Sequence, residues 1–290
     1  MHLRTSVFAL QTPLVAAAAE GFFADEGLEV SFESTTSSRA QMQQLTSGDV
    51  DVAQTAADNV IGLAAAGRGG ARIVHVADLG IDQMVVARAG LGSWADVRGG
   101  RVAVDAADSG YAYVLYSLLE DQGISRAEYQ LLPVGGPAPR FQQLCSGTAD
   151  VGLLNPHLAS RALAEGLSVI ARAADSFPGY PNLVVATSAA AAVDRRAELA
   201  AYCRAVDRAV AWAHDPAHAD RATELLMEAR ACGAEEARAL YESERSLRST
   251  PRPSAEDVRT GLELVAELRE RMGGGRVPLS GYFAPVVGAA

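Results

Sequence analysis

The residue best suited to chemistry in this sequence is His157, which follows Asn155 and Pro156 at the expected start of a helix. An imidazole titrates near neutral pH, so His157 could carry a proton, helped by Asp78 or Asp108. The commoner role of a lone histidine there is a cap or a hydrogen-bonded polar group. Other reactive types are missing or badly spaced. All 25 basic residues are arginines. Without lysine there is no Schiff base, which excludes ordinary pyridoxal-phosphate and class I aldolase chemistry, and no P-loop. Cys145, Cys203 and Cys232 lack zinc-ligand or CxxC spacing and read as three buried or half-buried thiols. His214 and His218 could share a helix face, but Pro216 breaks the helix that a metal pair requires. No G-x-S-x-G motif occurs. Neither a metal nor an organic cofactor is expected.

The chain has room for two domains of ordinary size at 290 residues, and its 49% apolar and 21% charged content is that of a globular protein. A formal charge of −10 argues against a nucleic-acid partner, because phosphate binding needs a clustered basic surface. No window has the roughly 18 uninterrupted apolar residues of a membrane helix. Near Met1 there is no basic region followed by a long apolar run. The expected location is therefore cytoplasmic if Met1 is the native start and extracytoplasmic if a leader has been removed.

The elements that position these residues announce themselves through an internal repeat. Gln44-Leu45-Thr46-Ser47-Gly48-Asp49-Val50-Asp51-Val52 is echoed by Gln143-Leu144-Cys145-Ser146-Gly147-Thr148-Ala149-Asp150-Val151. In both, an amphipathic helix ends at glycine and the chain turns into a short apolar strand. Upstream, Ser6–Leu28 and Val102–Ile124 each read as strand, polar loop, helix and glycine turn. A further strand follows each, at Glu29–Glu33 and Tyr129–Val134. Two copies of strand–helix–strand–helix–strand predict two open α/β lobes with mostly parallel sheets.

Ile73–Val76 and Gln83–Ala87 read as strands leading out of the first lobe, and Gly90–Gly100 as a bridge into the second. The return runs through Phe177–Pro181 into a strand at Leu183–Ala186. The first lobe then comprises 1–88 and 183–290, the second 89–182. Helices at Arg196–Trp212, Ala219–Ala231, Ala234–Glu244 and Ala255–Met272 are expected to layer onto the first lobe, with Tyr282-Phe283 tucked against the body.

In such sheets ligands sit outside the carboxyl ends of the strands, so two facing lobes would share one cleft. The first lobe offers Phe8, Gln11 and Thr12, where Thr12 reads as a helix N-cap before Pro13, then Gln54 and Thr55, with Asp58 as the next helix cap, then Asp78. The second offers Asp108, Ser109 and Tyr111, then Asn155 and His157, with Tyr180 at the crossover. Helix-start N–H groups beside Ser109 and Tyr111 favour an anionic group, whereas Asp108 opposes one. A ligand acidic at one end and bearing amine or hydroxyl at the other satisfies both.

The segments "TPLVAAAAEGFFADEGLEVSFE", "LTSGDVDVAQT", "WADVRGGRVAVDAADSGYAYVLYSLLEDQGI", "FQQLCSGTADVGLLNPH" and "AVDRAVAWAHDPAH" stand in an order and spacing that resemble the solute-binding proteins for sulfonates, taurine, nitrate and thiamine precursors. The resemblance covers almost the whole chain. It implies a two-lobed periplasmic-binding-protein fold, type II-like, that closes on one small organic molecule, with a membrane permease as partner if the protein serves an ABC-type importer. The same superfamily includes thiamine-pyrimidine synthases that use a pyridoxal-phosphate lysine, which this chain lacks. The alternative is a cytoplasmic enzyme on that scaffold, doing decarboxylase-, dehydratase- or cyclase-like acid–base chemistry through His157 without metal or pyridoxal phosphate.

Overall fold

Each copy of the repeated phrase folds as helix, glycine turn and strand. The computed structural model describes residues 1–181, 184–247 and 253–287. Gly48 and Gly147 take φ of 84° and 70°, the left-handed region in which a Cβ is strained, and this lets each helix stop and the chain reverse into its strand.

Ten strands are described: β1 (His2–Val7), β2 (Glu29–Ser34), β3 (Val52–Thr55), β4 (Ala71–Val76), β5 (Met84–Ala87), β6 (Arg101–Val104), β7 (Gln130–Pro133), β8 (Val151–Leu154), β9 (Ser168–Arg172) and β10 (Val184–Ser188). The helices of two turns or more are α1 (Thr12–Ala19), α2 (Ser38–Ser47), α3 (Ala57–Ala65), α4 (Gly110–Asp121), α5 (Pro137–Cys145), α6 (Pro156–Ala164), α7 (Arg196–His214), α8 (Ala219–Arg230), α9 (Ala234–Leu247) and α10 (Ala255–Arg271). They form two units. One comprises Met1–Leu79, Pro181–Ala266 and Gly275–Ala290, the other Gly80–Tyr180 and Glu267–Gly274.

The two sheets have the same plan. The first runs β2-β1-β3-β10-β4 and the second β7-β6-β8-β5-β9. β1 is parallel to β2 and β3, while β10 is antiparallel to β3 and β4; β6 is parallel to β7 and β8, while β5 is antiparallel to β8 and β9. Four strands in each sheet therefore point one way and one points back, which meets the expectation of mostly parallel sheets. All four residues of β3 and of β8 are buried, as a central strand covered on both faces requires.

Three expectations need correction. Gln83–Ala87 does not lead out of the first lobe: β5 pairs inside the second sheet, so the chain passes between units at Leu79–Gly80. A four-residue apolar strand carries no local mark of its sheet; partner edges decide. The end of α10 groups with the second unit, where Arg271 bonds Ser117 and the Arg269 guanidinium lies 5.3 Å over the Tyr113 ring. Cys145 is exposed, because it falls on the outer side of amphipathic α5; Cys203 is buried and Cys232 half-buried. Leu183, expected to open the strand of the return crossing, lies outside the described residues, and β10 takes over from Val184.

Packing follows the helix periodicity. Leu199, Tyr202, Val206 and Val210 recur along one stripe of α7 and bury against Leu3, Val7, Val52 and Val185 of the first sheet. Each such side chain contributes about 1.5–3 kcal/mol of transfer free energy. α8 and α9 bury Ala222, Leu226 and Tyr241 against Val15 and Ala16 of α1. The second unit closes on Val86, Ala103, Leu144, Leu154 and Leu158. The free edge of β4 is covered by the tail, as expected: Ile73 N–H donates to Tyr282 O at 2.7 Å and Ala284 N–H to Ile73 O at 2.9 Å, and Tyr282 is buried. Pro216 interrupts the helix after His214, as its missing N–H dictates. Among the described residues no helix is long and apolar enough to cross a membrane.

Candidate functional site

Parallel strands end on one edge of their sheet, and the helices that follow begin there, so each unit has one edge where loops and helix N-termini gather. The residues singled out in the sequence fall on these edges. In the first unit Phe8 follows β1 and is exposed, Gln11 is the N-cap of α1, Thr12 opens that helix, Gln54 and Thr55 end β3, and Asp78 lies beyond β4. In the second, Asp108 is exposed in the loop after β6, Ser109 caps α4, Tyr111 is half-buried in its first turn, and Asn155 caps α6 with half-buried His157 in that first turn. Tyr180 is buried where the second unit ends; its carbonyl accepts from Gly80 N–H at 2.9 Å.

Local chemistry explains these placements and changes two roles. Ser109 Oγ accepts from Ala112 N–H at 3.0 Å, and Asn155 Oδ1 from Leu158 N–H at 3.1 Å, so both are genuine caps. Thr12 is not a cap; it is the first helical residue, and its N–H donates to the Glu244 carboxylate from α9 at 2.8 Å. A carboxylate 232 residues away in sequence thus does what a local side chain does in the other unit. Asp58 is not a cap either. Ala56 holds that position with no side-chain bond, and Asp58 is buried in the first turn of α3. Thr55 Oγ1 accepts from Asn59 Nδ2 at 2.8 Å. Gln54 is buried on the face of β3 that carries Val52, near the hydroxyl of Tyr202. Burial raises the Tyr202 phenol, and the side chains of Thr5 and Gln54 partly offset that rise.

Several residues behind the edges went unnoticed in the sequence. Buried Gln41 of α2 donates from Nε2 to Gln54 O and Ser6 O, each at 3.1 Å. Buried Arg140 of α5 donates from Nε to Leu153 O at 2.8 Å and from Nη1 to Gly135 O at 3.1 Å, with Asp105 Oδ1 at 3.9 Å. Burial lowers the Arg140 guanidinium from its usual value, and Asp105 opposes this. Both residues lie three positions before the repeated Gln-Leu phrase, a signal that a register of the two copies exposes.

The opposite end of each sheet is closed by a carboxylate. Asp51 Oδ2 accepts from Arg4 N–H at 2.8 Å and Nε–H at 3.2 Å, and Arg195 Nη1 reaches Asp51 Oδ1 at 2.7 Å. Asp150 Oδ2 accepts from Arg101 N–H at 2.7 Å and Nε–H at 3.0 Å, and Arg88 Nε reaches Asp150 Oδ1 at 2.6 Å. The Arg101 bonds, against some burial, hold the Asp150 carboxyl far below the usual carboxylate range. Burial pushes Asp51 up, but Arg4 and Arg195 outweigh it and its net shift is downward.

A cavity of about 440 Å³ in the first unit lies apart from these residues, along β4, α7 and the tail. Its walls include Val74, Val76, Val258 and Phe283, and its charges are paired: His75 Nε2 with Asp207 Oδ1 at 2.6 Å and Arg204 with Glu26 at 2.6 Å within the lining, and Arg208 with Asp25 outside it at 2.8 Å. Among the described residues no three His, Cys, Asp or Glu side chains gather as a metal site.

The same architecture recurs in solved structures. The alkanesulfonate-binding protein SsuA of Xanthomonas axonopodis pv. citri, bound to MOPS, matches with a TM-score of 0.78 at 14% identity, over 95% of this chain and 94% of that one. The nitrate-binding protein NrtA of Synechocystis PCC 6803 matches with a TM-score of 0.69 at 16% identity, over 81% of this chain and 68% of that one. The Candida albicans CA3427 gene product, described as exhibiting the generic periplasmic binding protein structural fold, matches with a TM-score of 0.73 at 14% identity, over 100% and 98%. These likenesses establish the periplasmic-binding-protein fold. No curated protein matches by sequence. The family model described as NMT1/THI5 like matches residues 10–219, from the α1 edge of the first unit through Gly80–Tyr180 of the second and on to the start of α8, and the chain belongs to that family.

Proposed function

We propose that this protein is a solute-binding protein that holds one small polar organic molecule, without transforming it, through its strand-end loops. The observation that carries the reading is the doubling of the edge. Each unit brings helix starts and polar side chains to the carboxyl ends of its parallel strands, on a fold shared with proteins named for binding alkanesulfonate and nitrate. In this reading Phe8, Gln11, Thr12, Gln54, Thr55 and Asp78 serve from the first unit, and Asp108, Ser109, Tyr111, Asn155, His157 and Tyr180 from the second. As the receptor of an ABC-type importer it would work outside the cytoplasmic membrane and hand its solute to a permease.

Native mass spectrometry against small acids, amines and aromatic metabolites, followed over time, tests this. The expected result is a bound species whose mass stays constant. Product accumulating in solution would overturn it in favour of an enzyme. His157→Ala is expected to weaken binding by about tenfold, the size of one hydrogen bond to a charged partner, with the fold retained. Unchanged affinity would remove His157 from the site.

A further inference from the structure

One buried position differs in charge between the two units. Gln41 and Arg140 stand at the same place relative to the repeated phrase, and both bond the carbonyl of the penultimate residue of their central strand, Gln54 O and Leu153 O. The first unit shows that a neutral amide suffices to close this junction. Burying a guanidinium forfeits far more hydration than burying an amide. The charge in the second unit therefore answers to something other than the fold.

What it faces is Asp105, the first residue after β6, whose Oδ1 lies 3.9 Å from Arg140 Nη1 and accepts a hydrogen bond from Ser109 Oγ. Asp105 Oδ2 receives no hydrogen bond from any described residue, and the side chain is 28% exposed at the strand-end edge. The matching position after β1 is Phe8, which has no such group. An ionised carboxylate only accepts hydrogen bonds, so one held by a single oxygen presents a directed acceptor to whatever occupies the edge. Across the sequence the first unit offers an acid as well, with Glu244 already filling the N-terminus of α1.

We infer that the second unit reads a nitrogen-borne hydrogen-bond donor of the solute, an ammonium or amino group, through Asp105 Oδ2, with Arg140 and Ser109 as positioning residues that hold the other oxygen. This rests on the solute-binding reading above and names the ligand class. It adds an amine requirement to a fold that two relatives named for anions, alkanesulfonate and nitrate, share.

The test uses pairs of solutes in which a methyl group replaces the amino group, taurine against propanesulfonate and para-aminobenzoate against para-toluate, titrated calorimetrically into the full chain. The amine of a bound pair should bind about ten- to a hundredfold tighter than its methyl counterpart, the range of one charge-assisted hydrogen bond. Asp105→Asn should abolish that preference while leaving the affinity for the methyl compound in place. Arg140→Gln, which installs the residue the first unit uses, should shrink the preference without moving the affinity for the methyl compound, and Arg140→Lys should restore part of it. A merely structural role would weaken both members alike. If Arg140→Gln fails to fold, the Asp105→Asn preference decides alone. Equal binding of the two members, or a preference that survives Asp105→Asn, overturns this inference and leaves the solute-binding reading standing. Binding of neither pair, together with no binding across the wider mass-spectrometric panel, overturns both.

Discussion

The two units share a clasp and differ at their edges. Arg4, Asp51 and Gly48 in the first are matched by Arg101, Asp150 and Gly147 in the second, down to an arginine Nη2 on the glycine carbonyl at 2.6 Å and 2.7 Å. In each, a second arginine that follows the antiparallel strand completes the carboxylate, Arg88 directly after β5 and Arg195 one short helical turn after β10. At the strand-end edges, by contrast, Phe8 answers to Asp105, Gln41 to Arg140, Ala56 to Asn155 and Asp58 to His157. What stays alike fixes the order of strands. What differs lies at the strand-end edges or directly behind them. A duplicated frame with unlike edges leaves each unit free to present its own chemistry at its strand ends.

The comparison can be broken most forcefully at the clasps. Asp150→Asn leaves Arg101 and Arg88 without their shared carboxylate, which is only 9% exposed, and should destabilise the protein by about 2–4 kcal/mol in a denaturant titration. Asp51→Asn, at 16% exposure and with a weaker net depression, should cost less. Equal losses would mean that the frame, and not the quality of each clasp, sets the effect. The pH dependence follows from the sign of the shifts. Both carboxyls lie below their ordinary value of 3.8 in the folded state, so their contribution is complete above that value and declines as the pH falls through and below it. The stability gap between wild type and Asp150→Asn should be flat from neutrality to about pH 5 and narrow below about pH 4. A gap that widens in acid would reverse the assignment.

A smaller effect is expected one layer in. Gln41→Leu removes the donor to two buried carbonyls and should cost about 1–3 kcal/mol, with no effect on the amine preference assigned to the second unit. A changed preference would show that the two edges are not independent.

The repeat, the glycine turns and the strand–helix order could be read from the chain because each is local. The glycine after Ser47 and after Ser146 states its own conformation, and the apolar strands after them follow at fixed distance. Asp51 and Asp150 stand inside the legible phrase, yet their arginines do not, because pairing Arg4 with Asp51 requires β1 to lie against β3. The same limit applied to Met84–Ala87, which reads as a strand but whose sheet depends on the edges of β8 and β9. At the candidate site Ser109 and Asn155 were readable as helix starts, since a cap acts within three residues. Glu244 was not, since it reaches α1 from another helix, and Arg140 looked like an ordinary polar position of an amphipathic helix until the structure buried it.

The finest difference between the units is a cap. α6 begins at Asn155, whose side chain accepts from Leu158 N–H, whereas α3 begins at Ala56, which has extended backbone angles of −69° and 140° and no side-chain acceptor. The backbone at Ala56 is thus already shaped for an asparagine, whose side chain would take over the N–H of Asn59, now donated to Ala56 O at 3.1 Å, in the place that Leu158 holds in the other unit. Ala56→Asn should therefore stabilise the first unit by about 0.5–1 kcal/mol, while Asn155→Ala should cost the second about 1 kcal/mol. Both are measurable as opposite shifts of the denaturation midpoint. Because Ala56 lies on the strand-end edge, the substitution also asks why the cap is missing there. A gain in stability with affinity unchanged would make the alanine incidental. A gain accompanied by weakened solute binding would mean that the small side chain at the start of α3 is kept for the ligand, which would extend the contrast between the edges to their helix starts.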